Sequence, residues 1–347
     1  MCFIWPLVKS IFFNFNNTFQ FIIMKYFLTG ATGFVGGSLA KQLKAAGHDI
    51  IAVVRTPEKA AALKAIGVTL VKGDVTDKES MREAMRDCDG VYHVAGWYKV
   101  GVKDKTQGYQ INVLGTRNVL ELMKELQIPK GVYTSTLAIN SDTHGELKDE
   151  SFHFTGTHIS EYDKTKAEAH QIAEQFINEG LPLVIVMPGL IYGPDGTSMS
   201  DDALRLYLQK KLPLIPSRSA YSWAHVDDVA HAHILAMEKA KPGSKYIICG
   251  PSHTFSEGLD IAKKITGIKK PMIVPPVMLK ITAFFSSLVE GFLPLPDMYR
   301  SEALRVQAGV TYLGNNTKAQ HELGYRPRSL EEGLKQTLEY EMSKLKK

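Results

Sequence analysis

Thr29-Gly30-Ala31-Thr32-Gly33-Phe34-Val35-Gly36 decides the fold. It follows the apolar run Tyr26-Phe27-Leu28, which reads as a buried strand, and it precedes Phe34 to Ala46, where apolar residues recur at helical spacing. The glycines therefore sit at a strand-to-helix turn. At such a turn glycine permits positive φ and a close approach to the amides, while the helix N-terminus adds donors and partial positive charge. A dinucleotide pyrophosphate suits it, with Gly30, Thr32, Gly33, Phe34, Val35 and Gly36 as the candidate contacts. The spacing is GxxGxxG, so the flanking strand and helix carry the reading more than the glycines do.

Working outward, strand and helix patterns alternate as far as about Met187. Ile50 to Val54 precedes Lys59 to Ala65, Thr69 to Val71 precedes Lys78 to Met85, and Gly90 to Val94 precedes Asn112 to Leu126. Gly131 to Thr134 then leads to Tyr162 to Ile177, and Leu183 to Val186 closes the series. Short apolar runs joined by helices need crossovers, which gives an α/β fold: a doubly wound parallel sheet with both faces covered. Residues 24–187 are expected to form the dinucleotide-binding domain. Residues 188–347 are expected to form mainly a smaller substrate lobe, with segments returning to the sheet. Residues 1–23, rich in Phe and Ile but broken by Pro6, Lys9 and three asparagines, read as an extension outside the fold.

The 347-residue chain is 44% hydrophobic and 22% charged, enough to fill a core and too apolar for disorder. Its net charge of +5 is scattered rather than striped, which disfavours nucleic acid. Cys2, Cys88 and Cys249 are far apart, a usage that suits a reducing compartment, so a cytoplasmic protein is expected.

Ligands of doubly wound sheets lie at the carboxyl ends of the strands. After the second strand stand Arg55 and, a turn later, Lys59; an arginine there suits a ribose 2′-phosphate and favours NADP, with NAD the alternative. Asp74 and Val75 follow the third strand, where a carboxylate could accept from the adenine amine. Val94, Ala95 and Gly96 follow the fourth and offer backbone beside the dinucleotide. In Ser160-Glu161-Tyr162-Asp163-Lys164-Thr165-Lys166, Ser160 with Asp163 reads as a helix cap, and Tyr162 and Lys166 share one face. Cations oppose the dipole at a helix start, so their presence has a local cost. A neighbouring ammonium and a positive helix end would stabilise the Tyr162 phenolate and make it an acid/base.

In this order, the glycine turn, Tyr133-Thr134-Ser135-Thr136 and the Tyr162/Lys166 pair resemble the short-chain dehydrogenase/reductase superfamily, in its extended branch of epimerases, dehydratases and reductases. Asn112-Val113-Leu114-Gly115-Thr116, Pro188-Gly189-Leu190-Ile191-Tyr192-Gly193-Pro194 and His225-Val226-Asp227-Asp228-Val229-Ala230 extend the resemblance, which runs from Met24 to the C-terminus. It is closest to dihydroflavonol 4-reductase-like proteins and the hopanoid-associated sugar epimerase group. The resemblance implies Thr136 as the hydroxyl on the substrate oxygen, Tyr162 as acid/base, Lys166 on the nicotinamide ribose and Asn112 in a proton relay. Pro188 and Gly189 match the loop beside the nicotinamide. The family more often has Ser where Thr136 stands, and Ser135 is adjacent. The substrate side is expected to include Ser135, Tyr98, Tyr192 and His225. The implied chemistry is hydride transfer between the nicotinamide and a ketone or secondary alcohol. The alternatives are a nucleotide-sugar epimerase or dehydratase with tightly held NAD(P), for which Arg218 or Arg300 could meet a diphosphate, and a non-catalytic NADP sensor. A homodimer through the helices around Asn112 and Tyr162 is family-like.

In the C-terminal half, prolines bracket a segment in which Val277, Ile281, Phe284, Leu288 and Phe292 fall near one face. That stripe reads first as a helix packed on the core, and second as a lid for an apolar substrate or a surface touching a membrane. His225, Asp227, Asp228, His231 and His233 lack metal-ligand spacing, so no metal is expected, with Asp227 read as a helix cap.

Overall fold

The first six strands are β1 (Lys25–Thr29), β2 (Asp49–Val54), β3 (Thr69–Lys72), β4 (Gly90–His93), β5 (Gly131–Thr134) and β6 (Leu183–Pro188). They are short and apolar because helices cover both faces; β6 is buried at every residue. A computed structural model describes residues 22–345, so most of the 1–23 extension, with Cys2, lies outside the described residues. The later strands are β7 (Leu190–Tyr192), β8 (Leu214–Pro216), β9 (Ala220–His225), β10 (Lys245–Ile248), β11 (Ser252–Thr254), β12 (Met272–Val274) and β13 (Thr311–Tyr312). The main sheet has seven strands in the order β10-β6-β5-β4-β1-β2-β3, all parallel. This is the doubly wound α/β fold expected from the alternating pattern.

Strand order reverses between β1 and β4, and Thr29 lies in register with His93. The residues that follow these two strands, Gly30 and Val94, therefore face each other across the crevice where such sheets bind ligands. β10 brings the C-terminal half back to the main sheet by pairing with β6. The remaining strands make two smaller sheets: β11-β9-β13 with β7 on β9, and β12 on β8. A second apolar cluster, including Leu204, Trp223, Phe255 and Leu334, packs beneath them.

Several local expectations change. The Asn112–Leu126 pattern starts as a π-helical turn at Tyr109–Leu114 before the α-helix Gly115–Glu125. The helix Val226–Lys239 is capped by His225, whose side chain accepts from the Asp227 amide, so His225 replaces Asp227 as the cap. Asp227 instead accepts from Ser38 Oγ at 2.7 Å, tying this helix to Phe34–Ala45.

The largest correction concerns the helix Pro276–Val289. Val277, Ile281, Phe284, Leu288 and, just beyond the helix, Phe292 are exposed, so this stripe does not pack on the core. The buried row is Leu279, Ala283 and Ser286. Small side chains on that row let the helix lie close to Ser301–Gln307, with Val274, Leu279, Ala283, Leu304 and Ala308 forming one apolar cluster. The helix is apolar on both sides, so periodicity alone could not say which side is covered.

Candidate active site

At the crevice, the turn from β1 into the helix Phe34–Ala45 is closed by Gly33 N donating to Gly30 O at 2.9 Å. Gly30 has φ +73°, and a Cβ there would lie 2.6 Å from the Ala95 amide nitrogen; at Gly36 it would lie 2.1 Å from the Gly30 carbonyl oxygen. Only glycine lets the two backbones meet this closely. No side chain caps the helix. Phe34, Val35 and Gly36 line the cleft, so its first-turn amides are left for an anion.

This turn is one end of a cleft of about 560 Å³. Of the expected cofactor residues, Gly30, Thr32, Gly33, Phe34, Val35, Gly36, Arg55, Asp74, Val75, Val94, Ala95, Gly96, Pro188 and Gly189 line it. Lys59 does not; it sits on an exposed 3-10 turn, Pro57–Ala60, outside the lining. The Asp74 carboxylate holds its own turn, accepting from the Thr76 amide and hydroxyl, each at 2.9 Å.

Beyond the turn, the cleft brings together Thr136, Tyr162 and Lys166. Ser160 caps the helix Glu161–Asn178 by accepting from the Asp163 amide, as its position in the sequence indicates. That cap sets Tyr162 and Lys166 facing inward. The Thr136 hydroxyl faces the Tyr162 phenol, while burial pushes the phenol up to about 12 against the tempering effect of Thr136. Lys166 is buried; it donates to the Tyr133 hydroxyl at 3.1 Å and the Thr134 carbonyl at 2.8 Å. Burial pulls its ammonium down to about 7. The expectation that Lys166 would hold Tyr162 as a phenolate is therefore corrected. The ammonium is engaged by β5, and burial disfavours the phenolate.

Ser135 also lines the cleft, but its hydroxyl lies 2.8 Å from His170 Nδ1. Of the two adjacent hydroxyls, that of Thr136 is the one facing Tyr162. Asn112 lies off the cleft with its amide filled: it accepts from Trp97 N at 2.7 Å and donates to Trp97 O and Thr165 Oγ1. It fastens the loop after β4 to the helix that carries Tyr162. Tyr98 lies at the cleft and donates to Thr197 Oγ1 across it at 3.2 Å. Tyr192 and His225 are off the cleft, against expectation; both are buried, with the Tyr192 ring edge-on to Trp223 and to His225.

Sequence reading missed the support beneath the site. Thr29 Oγ1 accepts from the Val94 and Ala95 amides, each at 3.1 Å, and lies 2.8 Å from His93 Nδ1. Its single proton is then directed to Nδ1, which leaves the His93 proton on Nε2, 3.0 Å from Thr116 Oγ1. Burial pulls His93 down to about 3, so it stays neutral, and its ring stacks on Tyr133. Thr29 thus shapes the backbone opposite the glycine turn. The signal was a hydroxyl at the end of β1 and a histidine in register on β4, which only the strand pairing connects.

A second missed residue is Glu302. Its buried carboxylate accepts from the Glu161 amide at 2.7 Å and the Gly101 amide at 2.9 Å, and it meets Lys105. It clamps the C-terminal lobe onto the start of the Tyr162 helix.

The model of the NAD dependent epimerase/dehydratase family matches residues 26–249, and the chain belongs to that family. It is 30% identical to a putative dihydroflavonol 4-reductase of Synechocystis over 89% of this chain and 92% of that one. It is equally identical, over 88% and 92%, to a 4-hydroxy-2-methyl-3-oxo-4-farnesyl-3,4-dihydroquinoline-1-oxide ketoreductase of Stigmatella aurantiaca. A UDP-glucose 4-epimerase of Thermotoga maritima, solved with UDP-glucose, shares the fold at TM-score 0.75 and 23% identity, over 93% of this chain and all of that one. The chain is an NAD(P)-dependent oxidoreductase of the extended short-chain dehydrogenase/reductase type.

Proposed function

We propose that this protein is an NADP-dependent reductase of apolar ketones, with Tyr162 as the proton donor. The observation that carries this reading is the wall of the cleft supplied by the C-terminal half. Leu212, Leu214, Ile215, Tyr221, Phe255 and Val306 form it. Among the described residues lining the whole cleft, Arg55 and Lys166 are the only cations, and Arg218 and Arg300 are absent from it. A nucleotide sugar would bury a diphosphate against this wall with no charge partner, which is costly, whereas an apolar body gains by leaving water. The similarity to a ketoreductase whose substrate name carries a farnesyl group points the same way.

The residues fit the cofactor that the family implies, because the cradle at Gly30 and Gly36 excludes any side chain and the helix behind it is uncapped. The glycine turn would take the pyrophosphate and Lys166 the nicotinamide ribose, with Pro188 and Gly189 beside the ring. When bound, NADPH supplies the hydride. The chain's own residues do the rest: Thr136 and Tyr162 fix the carbonyl oxygen, and Tyr162 gives it a proton. Burial pushes the Tyr162 phenol up to about 12, so at neutral pH it carries the proton that carbonyl reduction would draw on. Removing the apolar wall from water around the substrate would strengthen both hydrogen bonds.

Incubation with NADPH and a panel of aromatic ketones, steroid ketones and nucleotide sugars tests this. Net NADPH oxidation with apolar ketones is expected; conversion of a nucleotide sugar without net oxidation would replace the reductase reading by the epimerase one. Arg55, exposed at the cleft edge, supports NADP. Arg55→Ala should raise KM for NADPH by about tenfold and leave KM for NADH unchanged. Equal effects on the two would remove that assignment.

A further inference from the structure

The helix Pro276–Val289 and the loop after it carry the largest run of exposed apolar side chains among the described residues. Phe284 is 61% exposed and Phe292 91%, and Met278, Phe285, Leu288 and Leu293 are also more than half exposed. Scattered surface leucines need no explanation, but a contiguous aromatic and aliphatic face marks an interaction surface. The face is a convex helix with protruding rings rather than a groove.

Exposed charge around it leans basic. Lys269, Lys280, Arg300 and Arg305 make no salt bridge among the described residues. Lys280 stands on the helix itself, and Arg300 and Arg305 act on Glu290 at its end. Of the nearby acids, Glu302 is buried on its own partners, and Glu290 accepts from the Ser301 amide and hydroxyl and keeps its charge. Asp297 is the remaining exposed carboxylate in the 272–305 segment.

The face also joins the cleft. β12 pairs with β8 so that Met272 and Ile273 lie beside Leu214 and Ile215, the latter two lining the cleft. Val306, also on the cleft wall, belongs to the helix Ser301–Gln307 that packs on Pro276–Val289. One thin layer of structure therefore has the exposed face on one side and the apolar wall on the other.

We infer that this face docks on an anionic lipid bilayer, laying the helix Pro276–Val289 in the headgroup region with the apolar wall of the cleft directly behind it. Apolar rings entering the acyl boundary with free cations at the headgroups are the two components of interfacial binding. At 14 residues the helix is too short to cross, and no helix among the described residues is long and apolar enough to do so. Docking itself is independent of the reductase reading; delivery of a membrane-dissolved ketone to the cleft rests on it.

The test is co-sedimentation of the full chain with phosphatidylcholine vesicles with and without phosphatidylglycerol, for the native protein and for Phe284→Ser/Phe285→Ser/Phe292→Ser. The native protein should bind the anionic vesicles and the triple variant should lose on the order of tenfold or more in affinity. Lys280→Glu should lower binding to anionic vesicles alone. Unchanged binding by the triple variant would overturn the inference and place attachment elsewhere in the chain. No vesicle binding, with a native dimer that the triple variant turns into a monomer by sedimentation velocity, would overturn it in favour of a subunit interface. A KM that rises in the triple variant for a vesicle-dissolved ketone but not for a water-soluble one supports delivery; equal KM values would remove delivery while leaving docking intact.

Discussion

The glycine turn and the helix Pro276–Val289 are both regions where bulky side chains are sharply sorted, yet they are sorted by opposite constraints. At the turn, backbone meets backbone: Gly36 tolerates no Cβ because the Gly30 carbonyl already occupies that space. On the helix, the small residues Ala283 and Ser286 face inward and the phenylalanines face out. The first region is shaped by what it must admit, the second by what it leaves uncovered. Packing density explains a buried row; only a partner or ligand explains an uncovered one.

Substitutions break the comparison in descending order of effect. Gly36→Val should abolish cofactor binding, lowering affinity on the order of a hundredfold or more in a fluorescence titration, because the added carbon overlaps the Gly30 carbonyl. Retained affinity would mean the Gly30 carbonyl can shift to admit the side chain. Leu279→Ala, on the buried row, should cost about 2–4 kcal/mol by urea unfolding. Lys166→Met tests the polar side. The buried Lys166 has a folded pKa of about 7, below its ordinary value, so the unfolded chain binds more protons between about 7 and the ordinary lysine range. Stability should therefore rise with pH across that window in the native protein, with the penalty complete below about 7. The variant should flatten that rise, and an unchanged slope would show that the ammonium is better solvated than its burial indicates. Phe292→Ser, on the uncovered face, should change stability by no more than about 0.5 kcal/mol. A loss of several kcal/mol would mean the ring is covered in solution.

These contrasts also explain what was legible in the sequence. The parallel sheet and the strand-end glycines were readable because short apolar runs and φ-permissive residues report local geometry directly. Ser160 was readable as a cap for the same reason. The Thr29–His93 pairing was not, since it joins residues brought side by side only by β1 and β4. The state of Tyr162 was misread because a neighbour four positions along a helix says nothing about where its ammonium is satisfied; Lys166 turns to Tyr133 and Thr134. Tyr192 and His225 were expected at the substrate from their place in strand-end motifs, but both pack into the layer behind the cleft. On Pro276–Val289, periodicity found a genuine apolar stripe and assigned it to the wrong side, because burial is decided by the partner helix.

The catalytic proposal turns on a protonated phenol beside the Thr136 hydroxyl. Tyr162→Phe removes that proton while leaving the glycine turn and Lys166 in place, so single-turnover reduction and NADPH titration on the same preparation separate chemistry from binding. NADPH affinity should stay within about threefold of the native protein while turnover falls by about 10²–10⁴-fold. Undiminished turnover of an apolar ketone by Tyr162→Phe would contradict it.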